Sequence, residues 1–265
     1  MNAVIVQARL DSRRLPGKSL LPLEGKPLVF RVMEALRGIR GCIPILVCPE
    51  DSVSAFSPLA REAGFELVPG PKEDVLRRYC IAIRRFKPDR IIRATADNPF
   101  VFIDAAEAIN GEAERLGADY AGYQGLPCGA GVESVSAEAL LRADREAPAG
   151  PEREHVCPYL YTHPELFLLH RPLAPAEWQD PRLRVTVDTE GDYRRAEALF
   201  RALSRGAGGD ERYQGAAVIG ACRRLAETDR DCAAPDAVLN AAQDLVSKAV
   251  PDAVLNTAPG GGSFL

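Results

Sequence analysis

Between residues 3 and 116, short apolar runs alternate with stretches of helical period, and that alternation limits the fold more than any other feature of the chain. Ala3-Val4-Ile5-Val6 reads as a buried strand, and residues 43–48, 65–68 and 90–94 read as three more. Helices are expected between and after them. One covers residues 28–37, with Pro27 suited to its first position, and a second runs to Ala63 with Asp51 or Ser52 as cap and Gly64 as stop. A third covers residues 73–86 with Glu73 and Asp74 in its first turn, and a fourth covers residues 104–116. Strands joined through helices of this length are crossover units. They build an α/β fold with a mostly parallel central sheet and helices on both faces. Ligands of such sheets sit beyond the carboxyl ends of the strands, and the loops after the first and fourth strands both emerge there.

The first of these loops runs Gln7-Ala8-Arg9-Leu10-Asp11-Ser12-Arg13-Arg14-Leu15-Pro16-Gly17-Lys18. It has four cations, a Pro-Gly turn and no apolar period, so it is not a packed element. Its N–H groups can converge on an anion, and Arg9, Arg14 and Lys18 can bring full charges to phosphate oxygens. The ATPase pattern G-x-x-x-x-G-K-[ST] needs a glycine where Ser12 stands, and G-x-G-x-x-G is absent as well. A solvated basic loop is the bland alternative. The second loop is Thr95-Ala96-Asp97-Asn98-Pro99-Phe100. An acid directly after a hydrophobic strand, on the edge that would carry a triphosphate, is placed to hold Mg²⁺; otherwise Asp97 is a turn or cap residue.

The totals narrow the setting. With 265 residues, 46% of them hydrophobic, there is core enough for one large α/β domain or two small ones. The net charge of −4 argues against global attraction to nucleic acid, so the cations of the first loop are a local feature. Seven widely spaced cysteines without a C-x-x-C argue for a reducing compartment and against a zinc ribbon or disulfide framework. No signal-peptide pattern opens the chain and no apolar run approaches ~20 residues, so a cytoplasmic enzyme without a membrane span is expected.

The first loop also resembles one family. A-R-x-x-S-x-R-x-P-G-K-x-L followed by x-G-K-P-L looks like the nucleotide-binding loop of the sugar cytidylyltransferases, which make CMP-Kdo and CMP-sialic acid. The motif's second arginine falls on Arg14, not Arg13, and Gln7-Ala8-Arg9 is most similar to the SpsF-like spore-coat polysaccharide branch. Asp74-Val75-Leu76-Arg77-Arg78-Tyr79 resembles D-V-L-x-R-[YF], which lies beside the base in relatives; Arg78 is otherwise a plain helix arginine. Asp97 matches the metal-binding aspartate of G-D-x-P, with Ala96 for the glycine. Residues 127–133 resemble P-x-G-L-D-V-E, keeping Glu133 but placing Gly131 where an aspartate is usual. Residues 152–161 are close to E-R-E-H-V-T-P-Y-I-Y, a polar cluster suited to a polyhydroxylated acceptor, or else a capped amphipathic helix with Tyr159 in the core. After an expected strand at residues 183–187, Asp188-Thr189-Glu190-Gly191-Asp192-Tyr193 resembles V-D-T-x-E-D-[YL] and opens a helix to Leu203, with Thr189 and Asp192 also a plausible cap.

What the resemblance implies is a Rossmann-like nucleotide-diphospho-sugar transferase fold. Its enzyme couples CTP to an acidic sugar or related small acceptor, releases pyrophosphate, and serves surface polysaccharide or glycan biosynthesis. Arg9, Lys18, Asp97 and Asp188 would be catalytic, with Mg²⁺ on the two aspartates. Gln7, Ala8, Arg9, Leu10, Ser12, Arg14, Lys18, Asp74, Arg78, Thr95 and Ala96 would bind the nucleotide, and Glu133, Glu154 and His155 the acceptor. The partners would be CTP and a small molecule, with a homodimer open. Because Ala96, Gly131 and Gly191 depart from the pattern, a nucleotide-binding protein without transfer activity is one alternative, and within enzymes a transferase using another nucleotide is the other. The expected organisation is a nucleotidyltransferase domain over residues 1–204, a helical extension over 205–250 and a flexible tail over 251–265. In the last two, Pro235-Asp236-Ala237-Val238-Leu239-Asn240 recurs sixteen residues on as Pro251-Asp252-Ala253-Val254-Leu255-Asn256, too few copies for a solenoid.

Overall fold

A computed structural model describes residues 1–206 and 209–228. The chain opens with β1 (Asn2–Gln7), a short antiparallel pair β2 (Pro22–Leu23) and β3 (Lys26–Pro27), helix α1 (Leu28–Leu36), β4 (Cys42–Pro49), α2 (Val53–Ala63), β5 (Glu66–Gly70), α3 (Val75–Phe86) and β6 (Arg90–Thr95). It continues through α4 (Ile103–Leu116), β7 (Tyr120–Ala121), β8 (Glu133–Ser136), α5 (Ala137–Glu146), α6 (Pro151–Glu154), α7 (Pro158–Thr162), β9 (Leu169–His170), α8 (Glu190–Gly206) and α9 (Gly215–Thr228).

Seven of these strands form one sheet in the order β5-β4-β1-β6-β8-β7-β9. All neighbours pair in parallel except β8, which runs against both β6 and β7. Side chains alternate along β1. Val4 and Val6 pack into the core shared with α1, α4, α8 and α9, and Ala3 and Ile5 into the core shared with α3 and α5. Burying each of the valine and isoleucine side chains stabilises the fold by about 1.5–3 kcal/mol. The sheet is therefore covered on both faces, as the near-continuous apolar strands require.

The connectivity creates the crevice. From β1 the chain steps outward through β4 to β5, then returns to β6 on the other side of β1. The connections leaving β1 and β6 diverge, and the carboxyl ends of the two strands border an open space. The register sets Gln7 beside Thr95, so the first loop faces the second.

Three local expectations need correction. Pro27 does not begin α1; it closes β3 and stands at the N-cap with φ −55°. Helix α3 begins at Val75, because the Asp74 carboxylate accepts the Arg77 N–H at 2.9 Å as its N-cap. Residues 183–187 are extended but join no strand of the sheet, since their backbone bonds are divided between two loops. Cys128 exchanges bonds with Leu183 and Val185 (2.9 and 2.8 Å), and Val187 N–H donates to the Asp97 carbonyl at 2.8 Å. At the start of α8 the Thr189–Asp192 cap is present in both directions. The Thr189 hydroxyl accepts the Asp192 N–H (3.2 Å) and the Asp192 carboxylate accepts the Thr189 N–H (2.9 Å). Helix α8 continues to Gly206, and α9 buries Val218, Ile219 and Ala221 in the same core as the sheet. The expected helical extension beyond residue 228, the expected tail over 251–265 and both copies of the repeat lie outside the described residues.

Candidate active site

The first loop folds back on itself at Gly17, whose φ of +66° is a conformation glycine adopts at little cost. The Leu10 carbonyl accepts the N–H groups of Ser12 and Gly17 (3.0 and 3.2 Å), and the Ser19 hydroxyl donates to the Arg9 carbonyl at 3.0 Å. The reversal buries Lys18 and aims its ammonium at two other elements. Nζ donates to Asp97 Oδ2 at 2.7 Å, to Asp188 Oδ1 at 2.9 Å and to the Val187 carbonyl at 3.0 Å. Asp97 is held from behind by the Thr95 hydroxyl, and its carbonyl accepts the Val187 N–H and the Thr186 hydroxyl. Asp188 also receives Arg14 on Oδ1 at 2.9 Å and Arg184 on Oδ2. Burial works to raise the pKa of Asp188, but Lys18, Arg14 and Arg184 outweigh it and hold the carboxyl below the usual range.

This cluster forms one wall of a cleft of about 610 Å³ beyond the carboxyl ends of β1 and β6. Gln7, Ala8, Arg9, Ser12, Arg14 and Lys18 line it from β1 and the first loop, Thr95, Ala96 and Asp97 from the end of β6 and the second loop, and Asp188 from the segment before α8. Ala8 spends its N–H on the Val47 carbonyl, extending the sheet. Ala96 fills the position of the family glycine without strain. Among the described non-glycine residues, positive φ occurs at Glu24, Lys87 and Val156, and Ala96 is not one of them.

Arg78 closes the base of the cleft. It is 2% exposed, its Nη2 donates to the Lys72 carbonyl at 2.9 Å, and its buried Nε has no partner among the described residues. Burial draws its pKa down, and Gly70 makes room for it, because a Cβ there would stand 2.6 Å from Arg78 Cγ. Asp74 does not reach the cleft. Its carboxylate caps α3 and pairs with Arg153 at 2.7 Å, which fixes the helix that carries Arg78.

The expected acceptor residues separate. Glu154 and His155 line the large cleft, with Glu154 4.0 Å from Arg9. The chain turns sharply there. Cys157 N–H donates to the His155 carbonyl at 3.0 Å across Val156, a buried β-branched residue at φ +74°. Such a conformation costs about 1–3 kcal/mol and persists only where packing enforces it. Glu133 instead lines an adjoining pocket of about 240 Å³ with Asn98, Tyr120, Tyr123 and Gly131. It accepts from Arg93 and from the Tyr120 hydroxyl at 2.8 Å. Arg93 borders both pockets and donates to Gln7 Oε1 at 3.1 Å, so it ties the two together.

Arg93 and Arg184 are site residues that the sequence reading did not single out. A charge inside the apolar run Ile91-Ile92-Arg93-Ala94 was the available signal for the first; nothing local marks the second. Asp97 and Asp188 offer hard oxygen donors at the cleft wall, and no cluster of three His, Cys, Asp or Glu occurs among the described residues. That donor set suits a small cation that takes one or two carboxylates and fills its other positions with water and phosphate. The six described cysteines are free, and no described helix is long and apolar enough to cross a membrane.

Comparison with known proteins agrees with this geometry. The sequence model of the cytidylyltransferase family matches residues 3–219. Spore coat polysaccharide biosynthesis protein SpsF of Bacillus subtilis is 32% identical over 204 residues, covering 74% of this chain and 85% of that protein. Among solved structures, a cytidylyltransferase from Leptospira borgpetersenii superposes with a TM-score of 0.76 at 21% identity, over 89% of this chain and 99% of the other. A CMP:2-keto-3-deoxy-manno-octonic acid synthetase complexed with CTP gives 0.59 at 15% identity, over 76% and 98%. The two structures share the α/β fold, and the match over residues 3–219 places the chain in the cytidylyltransferase family, as a nucleotidyltransferase.

Proposed function

We propose that the chain transfers the cytidylyl group of CTP to a hydroxyl of a small sugar-like acceptor, an acidic sugar first among them, and releases pyrophosphate. The observation that carries this reading is the meeting of Lys18, Arg14, Asp97 and Asp188 on one wall of the 610 Å³ cleft. In this reading the base lies against Arg78, which lines the cleft and carries the guanidinium N–H donors that a cytosine carbonyl or ring nitrogen accepts. Arg9, Ser12, Arg14 and Lys18 hold the triphosphate. Asp97 and Asp188 hold Mg²⁺, which would polarise phosphate oxygens and favour ionisation of the acceptor hydroxyl. The acceptor enters the 240 Å³ pocket beside Glu133, which Arg93 and Thr95 join to the cleft that Glu154 and His155 line.

The chemistry asks for placement and charge more than for covalent help. The acceptor oxygen attacks the α-phosphorus while negative charge builds on the departing pyrophosphate. Lys18 and Arg14, already directed at the cleft wall by Asp188, turn to those oxygens and neutralise them as the bond breaks. Asp74 contributes at one remove, by fixing the helix of Arg78. A cytoplasmic setting and a product destined for a surface polysaccharide complete the proposal; the name of the Bacillus relative supports the latter.

The test is pyrophosphate release with CTP, UTP, GTP and ATP in turn, against a panel of acidic sugars and phosphorylated small molecules. Release with CTP and one acidic sugar is expected. Equal rates with another nucleotide, or none with any acceptor, would overturn the reading.

A further inference from the structure

Asp188 presents its two carboxylate oxygens to different surroundings. Oδ1 faces the cleft and meets Lys18 and Arg14, both cleft-lining residues. Oδ2 faces away and is taken by Arg184, which borders a separate cavity of about 340 Å³ between α8 and α9 rather than the cleft. Arg184 is itself fixed. Its Nε donates to Asp192 Oδ1 at 3.3 Å, its Nη1 reaches Cys128 Sγ at 3.3 Å, and Asp192 accepts the Asp188 and Thr189 N–H groups at 3.1 and 2.9 Å. The guanidinium therefore spans the side chains of Asp188 and Asp192 while Asp192 holds the Asp188 backbone. That ring leaves the Asp188 carboxylate one orientation.

We propose that Arg184 is a positioning residue that makes Asp188 a one-oxygen metal ligand and thereby selects a small octahedral cation over a larger one. The inference rests on the reading above that Asp188 binds the metal. The physical reason lies in the two cations. Mg²⁺ requires near-ideal six-coordinate geometry at short range, whereas Ca²⁺ accepts six to eight oxygens and takes carboxylates through one or both. A carboxylate whose second oxygen is already bonded to a guanidinium serves the first and withholds a contact from the second. Arg14 and Lys18 have no such effect, because they lie on the cleft side of Asp188, where phosphate draws them off. Arg184 has no phosphate to turn to.

The experiment measures Mn²⁺ binding to the full chain by electron paramagnetic resonance and its displacement by Mg²⁺ or Ca²⁺, for the wild type, Arg184→Gln, Arg184→Lys and Asp188→Asn. The readout is the ratio of Ca²⁺ to Mg²⁺ affinity, which cancels the general effect of removing a positive charge, since both ions are divalent. In Arg184→Gln the ratio should move toward Ca²⁺ by about tenfold, the change carried by one additional contact of roughly 1.4 kcal/mol. Arg184→Lys keeps a charge near Oδ2 without the planar fork and should fall between, and it carries the test if the glutamine variant does not fold. A ratio unchanged in both variants, with Mn²⁺ binding lost in Asp188→Asn, would overturn the role of Arg184 alone. Undiminished Mn²⁺ binding in Asp188→Asn would overturn the metal reading and this inference with it.

Discussion

Replacing Lys18 with methionine keeps the unbranched stem of the side chain and removes its charged nitrogen. In the wild type one nitrogen lies 2.7 Å from Asp97 Oδ2 and 2.9 Å from Asp188 Oδ1. Without it the two carboxylates face each other uncompensated in a partly buried wall, where unit charges roughly 5 Å apart at an effective dielectric near 20 repel by roughly 3 kcal/mol. Arg14 and Arg184 remain on Asp188 and offset part of that. A net loss of about 1–2 kcal/mol remains, which lowers the melting temperature by roughly 2–8 °C in a chain of this size. A divalent cation should reverse the loss, because the uncovered carboxylates attract it. The assay is thermal melting at fixed ionic strength with and without Mg²⁺, beside pyrophosphate release. Mg²⁺ should raise the melting temperature more in Lys18→Met than in the wild type, while turnover falls by about 10²-fold or more for want of the cation at the leaving group. A variant whose melting temperature ignores Mg²⁺ would show that the two aspartates do not share a cation. Near-normal turnover would remove Lys18 from the chemistry.

Gly129 has φ +93°, and a Cβ there would stand 2.6 Å from the Thr186 nitrogen. Gly129→Ala should cost about 2–4 kcal/mol in urea unfolding and lower kcat more than CTP affinity, since the segment it displaces carries Asp188. Asp144 is buried under Arg77, Arg84 and Arg153, each at 2.7 Å; burial works to raise its pKa, and the three guanidiniums hold it below the usual range. Its folded pKa therefore lies below the unfolded value of about 3.9, so its stabilisation is complete above that pH and is lost as pH falls through the folded value. Asp144→Asn should cost about 1–3 kcal/mol at neutral pH, discounted because Arg77 and Arg84 are half exposed, and should flatten the acid limb of the stability curve. Urea titrations from about pH 7 down to about pH 3 check both, and an unchanged acid limb would assign that sensitivity to other carboxylates.

Much of this protein is written locally. The strands are legible because both faces of the sheet are covered, which turns each strand into an apolar run, and the cap at Thr189 and Asp192 because a reciprocal cap needs only residues three apart. The cationic loop was legible from composition and its Pro-Gly turn, before anything was known of what it faces. The extended shape of residues 183–187 was local too, but their place was not. A strand and an extended strap have the same residue preferences, and only the positions of Cys128 and Asp97 decided that their N–H groups would bond to loops. The pairings of the site belong wholly to the tertiary structure. Lys18 meets carboxylates 79 and 170 residues away because β1 lies between β4 and β6 with Gln7 in register with Thr95. The same topology sends Glu133 to one pocket and Glu154 with His155 to another. A side chain's charge is a property of its residue, but the partner that charge meets is set by strand order and register, which no stretch of a few residues contains.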